Sequence, residues 1–309
     1  MVDEYDVFLS HNGAYDSTVL ERIADRLKRY GLEPWLNAWA LTPGGAWQRE
    51  LGTWAFRDTA TNTQLYTAAL PVLRDTFSVR RVALVLDDGQ PGIESAADAV
   101  RSAAGSAGVR VVGTGIHIAP DELDLRQEVG AIAQGVRTHH VDGLVVLSGP
   151  VEVGLLARAM ATAGVAIPVL GHPAQNSQSY FDTGGSAISR WLLPSVFSPY
   201  QNARAIRFAT VLSQRGGVHV APEAANYYDM VHAIAQVARA AGITATTDLT
   251  TARAAIRKGL SNLSYQGMMG TTSFCPTGDT QKPVFTVLAG SAASLFLTVD
   301  PQPVPCPGA

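Results

Sequence analysis

The chain has 309 residues, 47% of them hydrophobic and 16% charged, with a formal net charge of -3. That length and balance suit a globular α/β protein large enough for two lobes and exclude a disordered chain. A near-neutral charge without a basic cluster excludes a nucleic-acid partner, whose phosphates require a Lys/Arg-rich face.

The first element expected is a buried parallel strand, the run Tyr5-Asp6-Val7-Phe8-Leu9 that ends in the polar turn Ser10-His11-Asn12. A helix follows. Thr18 and Glu21 are spaced as a capping box, and Val19, Leu20, Ile23, Ala24, Leu27 and Tyr30 recur at helical spacing. Arg26, Lys28 and Arg29 complement the dipole of its last turn, and Gly31 stops it. A second strand at Glu33-Pro34-Trp35-Leu36 runs into the turn Pro43-Gly44-Gly45, and Trp47 to Leu51 opens a short helix.

These motifs, DVFLSHNGA, PWLNAWAL and PGGAWQREL, resemble the opening of a bacterial TIR domain over residues 1–54. The resemblance implies a flavodoxin-like sheet, of which only the first two strands are found, and a strand-end loop, Ser10, His11 and Asn12, that touches a nucleotide. The segment that carries the catalytic glutamate of NAD-cleaving members has no counterpart, and Glu50 does not match its place, so no NAD hydrolysis is expected.

From Phe56 the pattern changes. Strands are expected at 81–86, 109–112, 143–147 and 167–170, and helices at 93–107, 123–137 and 151–162, with two more helices at 200–215 and 222–241. Such alternation builds a mostly parallel sheet with right-handed crossovers. The uncharged stretch Pro283–Val299, broken by Gly290-Ser291, is read as two terminal strands and not a membrane span, which needs roughly 20 apolar residues.

Phe56-Arg57-Asp58-Thr59, RRVALVLDDG, GLLARAMATAGVAIPVLG, Tyr228-Asp229 and YQGMMGTTSFCPTGDTQKPVFTVL together resemble the later two-thirds of a type 1 periplasmic binding protein of the leucine and branched-chain amino acid receptor family, over residues 55–300. The fold class expected is therefore α/β: flavodoxin-like strand-helix units, then a periplasmic-binding-protein-like parallel-sheet lobe with part of a second lobe, then a Pro-rich tail at 301–309. The family's first segment is read as missing. The resemblance also implies a small polar, amino-acid-like ligand at the carboxyl ends of the parallel strands. The candidate contacts there are Asp87 and Asp88 after the first strand, Ser148 after the third and His172 after the fourth. The tyrosine, second aromatic and ammonium-gripping glutamate of amino-acid receptors are matched by Pro91, Gly149 or Pro150, and Pro173 or Ala174.

Each candidate has a plainer reading. Asp87 and Asp88 stand where an Asp caps the next helix, and His172 has no partner at metal or triad spacing. Tyr227 and Tyr228 share helical spacing with Val231, Ile234 and Val237, which reads as packing. No P-loop, dinucleotide glycine fingerprint, zinc spacing or nucleophile elbow occurs, so no catalytic residue, metal or cofactor is expected. Cys275 and Cys306 are far apart in sequence and do not read as a disulfide framework. The acidic start Met1-Val2-Asp3-Glu4 is not that of a signal peptide, so a cytoplasmic chain is expected.

The function expected is a non-enzymatic ligand-sensing module with a TIR-like signalling segment. Its alternatives are an NAD-cleaving effector and a transporter substrate-binding protein. Protein partners or self-association would use the TIR-like segment or the apolar faces of the last two helices.

Overall fold

The structure is a computed structural model that describes residues 7–9, 25, 28–29 and 34–36, and everything from residue 54 onward except 91, 121, 217–219, 221, 291–294, 298–305 and 307–309. Ser10, His11 and Asn12 lie outside the described residues. The chain divides into two compact units, Met1–Ala55 and Phe56–Ala309. In the first, β1 (Val7–Leu9) pairs in parallel with β2 (Pro34–Leu36), and Asp25, Lys28 and Arg29 are helical.

The second unit opens with α1 (Asn62–Phe77), a helix that the apolar spacing did not announce because Pro71 stands inside it. Its start is well made. Thr61 and Gln64 form a capping box, in which the Thr61 hydroxyl accepts from Gln64 N and the Gln64 amide oxygen accepts from Thr61 N at 2.8 Å. Then come β3 (Arg81–Asp87), α2 (Ile93–Ser106), β4 (Arg110–Val111), β5 (Ile116–Ile118), α3 (Arg126–His139), β6 (Gly143–Leu147), α4 (Pro150–Thr162) and β7 (Val169–Leu170). After β7 the chain makes a 3-10 turn (Pro173–Gln175), α5 (Gln178–Gly184) and β8 (Leu192–Ser195). The last elements are α6 (Ala203–Gly216), α7 (Pro222–Ala240), α8 (Leu249–Ser261), the hairpin β9 (Tyr265–Gly267) and β10 (Gly270–Thr272), and β11 (Phe285–Ala289) with β12 (Leu295–Leu297).

The main sheet runs β12-β11-β8-β7-β6-β3-β4, with β5 also on β3. Pairs from β4 to β8 are parallel, and β11 and β12 close the edge antiparallel. Both faces are covered, as the unbroken apolar strands demand. Ala83, Val85, Leu144 and Val146 pack against α3, α4 and α5, while their neighbours Val82, Leu84, Leu86, Val145 and Leu147 pack against α1 and α2. The strand period of two thus divides one run between two cores.

A second feature organises this unit. Phe56–Asp58 is laced to Phe274–Lys282: Arg57 N donates to Gly278 O at 2.8 Å, Arg57 pairs with Asp279 at 3.3 Å, and the Phe56 and Phe274 rings meet edge-on at 5.1 Å. Lys282, fully buried, stands 2.6 Å from Asp58 Oδ1 and donates to Asn226 Oδ1 at 3.2 Å. Beside it, buried Asp229 accepts from Met268 N and Met269 N. The cysteines, read as unpaired in the sequence, are joined: a Cys275–Cys306 disulfide with Cα atoms 5.7 Å apart ties the segment to the tail. Spacing along the chain hid a pairing that folding brings together.

Tyr227 and Tyr228 also depart from expectation. They are 74% and 49% exposed, because α7 turns Ala225, Ala233 and Val237 inward instead; Tyr228 rests on Phe208 and His232. Among the described residues no helix is long and apolar enough to cross a membrane.

Candidate functional site

The carboxyl ends of β3, β6 and β7 lie side by side, because these strands pair in parallel. The first helix shares that edge: α1 ends at Phe77, a few residues before β3 begins, so its first turn returns to where β3 finishes.

Two of the four sequence candidates meet there directly. The Ser148 hydroxyl donates to Asp87 Oδ2 at 2.9 Å, Gly149 N reaches the same oxygen at 3.4 Å, and Gly89 N donates to Asp87 Oδ1 at 3.0 Å. Asp87 and Ser148 are both buried and hold the β3 and β6 loops together. The capping expected of Asp87 is not made. Gly92, at φ 81, takes the N-cap of α2, a conformation in which an aspartate would be strained. Asp88 instead meets His117 Nδ1 of β5 at 2.7 Å on the exposed rim.

His172 stands apart from this network. Its Nδ1 accepts from Ala174 N at 3.2 Å and so caps the 3-10 turn, which requires the neutral ring. Burial favours the same form, pushing its pKa down to about 4. Beneath it, the Tyr66 hydroxyl donates to Gly171 O at 3.4 Å; burial holds that phenol above the usual range. The Gln175 amide, fully buried, donates to Val146 O at 3.0 Å and Ser148 O at 3.1 Å. Gln175 thus fixes the β7 loop to the β6 end.

An added Cβ would be crowded at two points on this edge. A Cβ at Gly171 would collide with Gln175 Oε1 and come within 2.6 Å of Leu193 Cδ2. Because Gln175 is pinned by two hydrogen bonds, Gly171→Ala is expected to cost about 1 to 3 kcal/mol by overpacking, read as a lower midpoint in chemical denaturation. At Gly149 a Cβ would collide with Glu152 Oε2 and stand 2.9 Å from Gln90 Nε2. The Glu152 carboxylate and the Gln90 amide therefore converge over this glycine, between the ends of β3 and β6.

Sequence reading missed Gln90, His117, Glu152 and Gln175. Glu152 carried a faint signal, an acid in the first turn of a helix that follows a strand, but that is also where the helix dipole alone favours one. Next to α1 a groove of about 570 Å³ is lined by Arg57, Thr59, Thr61, Asn62, Ser95 and Asp98. Among the described residues no cluster of His, Cys, Asp and Glu could hold a metal ion.

The family model described as periplasmic binding protein matches residues 1–292. The match includes residues 1–54. No curated protein matches in sequence. Among solved structures, the chain is similar to the leucine binding protein LivK of Thermotoga maritima, with a TM-score of 0.71 and 16% identity over 94% of this chain and 79% of that one. It is also similar to a solute binding protein of R. palustris in complex with benzoate, with a TM-score of 0.70 and 14% identity over 98% and 79%. The branched-chain amino acid transporter substrate binding protein LivJ of Streptococcus pneumoniae, in complex with isoleucine, gives 0.69 and 15% over 96% and 79%. At these identities the likeness is one of fold.

Proposed function

The chain belongs to the periplasmic binding protein family, and on that premise we propose that it is a non-enzymatic substrate-binding protein of an ABC-type transporter, taking a small organic ligand of the amino-acid or aromatic-carboxylate kind. The observation that carries this reading is the meeting of the β3, β6 and β7 loops at one edge, fixed by Asp87, Ser148 and Gln175, with polar side chains left over at its rim. Parallel α/β sheets take ligands at that edge. The ligands named for similar structures, leucine, isoleucine and benzoate, give the ligand class. A TIR-type signalling segment at residues 1–54 is the weaker reading, since the same family match runs through it.

An exported, oxidised chain fits this role better than the cytoplasmic one expected from the first residues. The Cys275–Cys306 disulfide supports that placement, because the cytoplasm keeps such thiols reduced. A thermal-shift screen of the full chain against the common amino acids, benzoate and NAD tests the function. An amino acid or benzoate is expected to raise the melting temperature, since a ligand at 100 times its dissociation constant stabilises by about 2.7 kcal/mol. NAD is expected to remain intact and to shift nothing. A chain that melts cooperatively and that none of the organic compounds stabilises would refute the reading.

A further inference from the structure

Asp87 and Ser148 satisfy each other, Asp88 is engaged with His117, and His172 is neutral and occupied as a cap. None of these four therefore offers a free charge to a ligand. Glu152 does. It is half-buried at the start of α4, with no hydrogen-bond or ion-pair partner among the described residues. Its Oε2 and the Gln90 Nε2 close on the same point above Gly149, where any side chain larger than hydrogen would intrude.

A half-buried carboxylate beside an amide donor presents two complementary demands, a cation for the oxygen and an acceptor for the N–H. We propose that Glu152, with Gln90 across Gly149, is the specificity-determining pair of the site and selects ligands that carry a protonated amine with a carboxylate or carbonyl close to it. This rests on the substrate-binding reading above and narrows its ligand class: zwitterions of the amino-acid kind are taken, and plain carboxylates such as benzoate are refused. The grip comes from the first turn of the helix after β6, and not from the loop after β7, where Pro173 and Ala174 have no charge to give.

Titration calorimetry on the full chain tests it with matched probes: each common aliphatic and aromatic amino acid against its deaminated acid, leucine with 4-methylpentanoate and phenylalanine with 3-phenylpropanoate among them, plus benzoate. At least one amino acid should bind, and its deaminated partner should bind at least tenfold more weakly. Glu152→Gln should weaken the amino acid by about 10- to 100-fold, the loss expected when a hydrogen bond to a charged group is removed. Gly149→Ala should weaken it as well while leaving the melting temperature close to that of the native chain, because its new methyl meets only the side-chain ends of Glu152 and Gln90 and no backbone atom. Binding in which the deaminated acids equal or exceed the amino acids, or which Glu152→Gln leaves unchanged, overturns the assignment of Glu152 and leaves the substrate-binding reading standing. Binding of no probe overturns both.

Discussion

Replacing Asp58 by Asn is expected to lower the unfolding free energy by about 3 to 5 kcal/mol, measured by chemical denaturation of the full chain near neutral pH. The size follows from what remains. Lys282 is fully buried, and its nearest counter-charge is the Asp58 carboxylate 2.6 Å away, with a weaker pull from buried Asp229; its ammonium also contacts the Asp58 carbonyl, Asn226 Oδ1 and the Met269 sulfur. Removing one member of a buried pair strands the other charge in a medium that solvates it poorly. Lys282→Met should cost less, because the abandoned carboxyl can take up a proton. Changing both residues together to apolar side chains of similar size should restore much of the loss, since a buried pair is no more stabilising than good apolar packing.

The same pair gives a pH dependence with a definite sign. Burial raises the Asp58 carboxyl from 3.8 to about 6, against the opposing pull of Lys282. The folded chain then holds a proton that the unfolded chain releases, so this group's contribution is fully present below about pH 4 and is lost as pH rises through about 6. Asp58→Asn should abolish that component of the slope between pH 4 and pH 6. An unchanged slope, or a loss well under 1 kcal/mol, would show that the pair is solvated in solution.

Breaking the disulfide is the second large effect expected. Cys275 and Cys306 close a loop with a sequence separation of 31, which in the chain-entropy account corresponds to about 3 to 4 kcal/mol at 25 °C. Replacing both cysteines with alanine, or treating the native chain with reductant, should lower the denaturation midpoint by equal amounts. The cost falls on a vulnerable place, because Cys275 sits within the Phe274–Lys282 segment that pairs with Arg57 and Asp58. The double replacement should therefore interact energetically with Asp58→Asn and not simply add to it. Indifference of the native chain to reductant would contradict the linkage.

Much of the sheet was legible from sequence for a physical reason. A strand covered on both faces must be apolar throughout, so Arg81–Asp87 and Gly143–Leu147 announce themselves, and helix α4 follows at its expected place. Helix α1 was not legible, since Pro71 reads as a break while the capping box at Thr61 and the buried face of Leu65, Tyr66, Ala69, Leu70 and Leu73 carry the helix through it. The short strand β5, which supplies His117 to Asp88, is below the length at which a period of two can be recognised.

The site was half legible. Topology located the edge, so Asp87, Asp88, Ser148 and His172 all lie near it, while the capping expected of Asp87 is not made. Hydrogen bonding between loops remote in sequence consumes Asp87 and Ser148, and Gly92 takes the N-cap position of α2 that Asp87 was expected to fill. Conversely, Glu152 looked like an ordinary first-turn acid, and only the approach of Gln90 over Gly149 distinguishes it. The disulfide was invisible for the same reason, its partner lying in a Pro-rich tail whose path no local pattern fixes.

Hydrogen exchange of the full chain, with and without the amino acid that gives the largest thermal shift, places the ligand on the fold. Protection concentrated in residues 87–90, 148–153 and 171–176 is expected, since these loops form the carboxyl edge. Protection confined to the groove at Arg57–Thr63, or spread evenly over the chain, would contradict a ligand held at the ends of β3, β6 and β7.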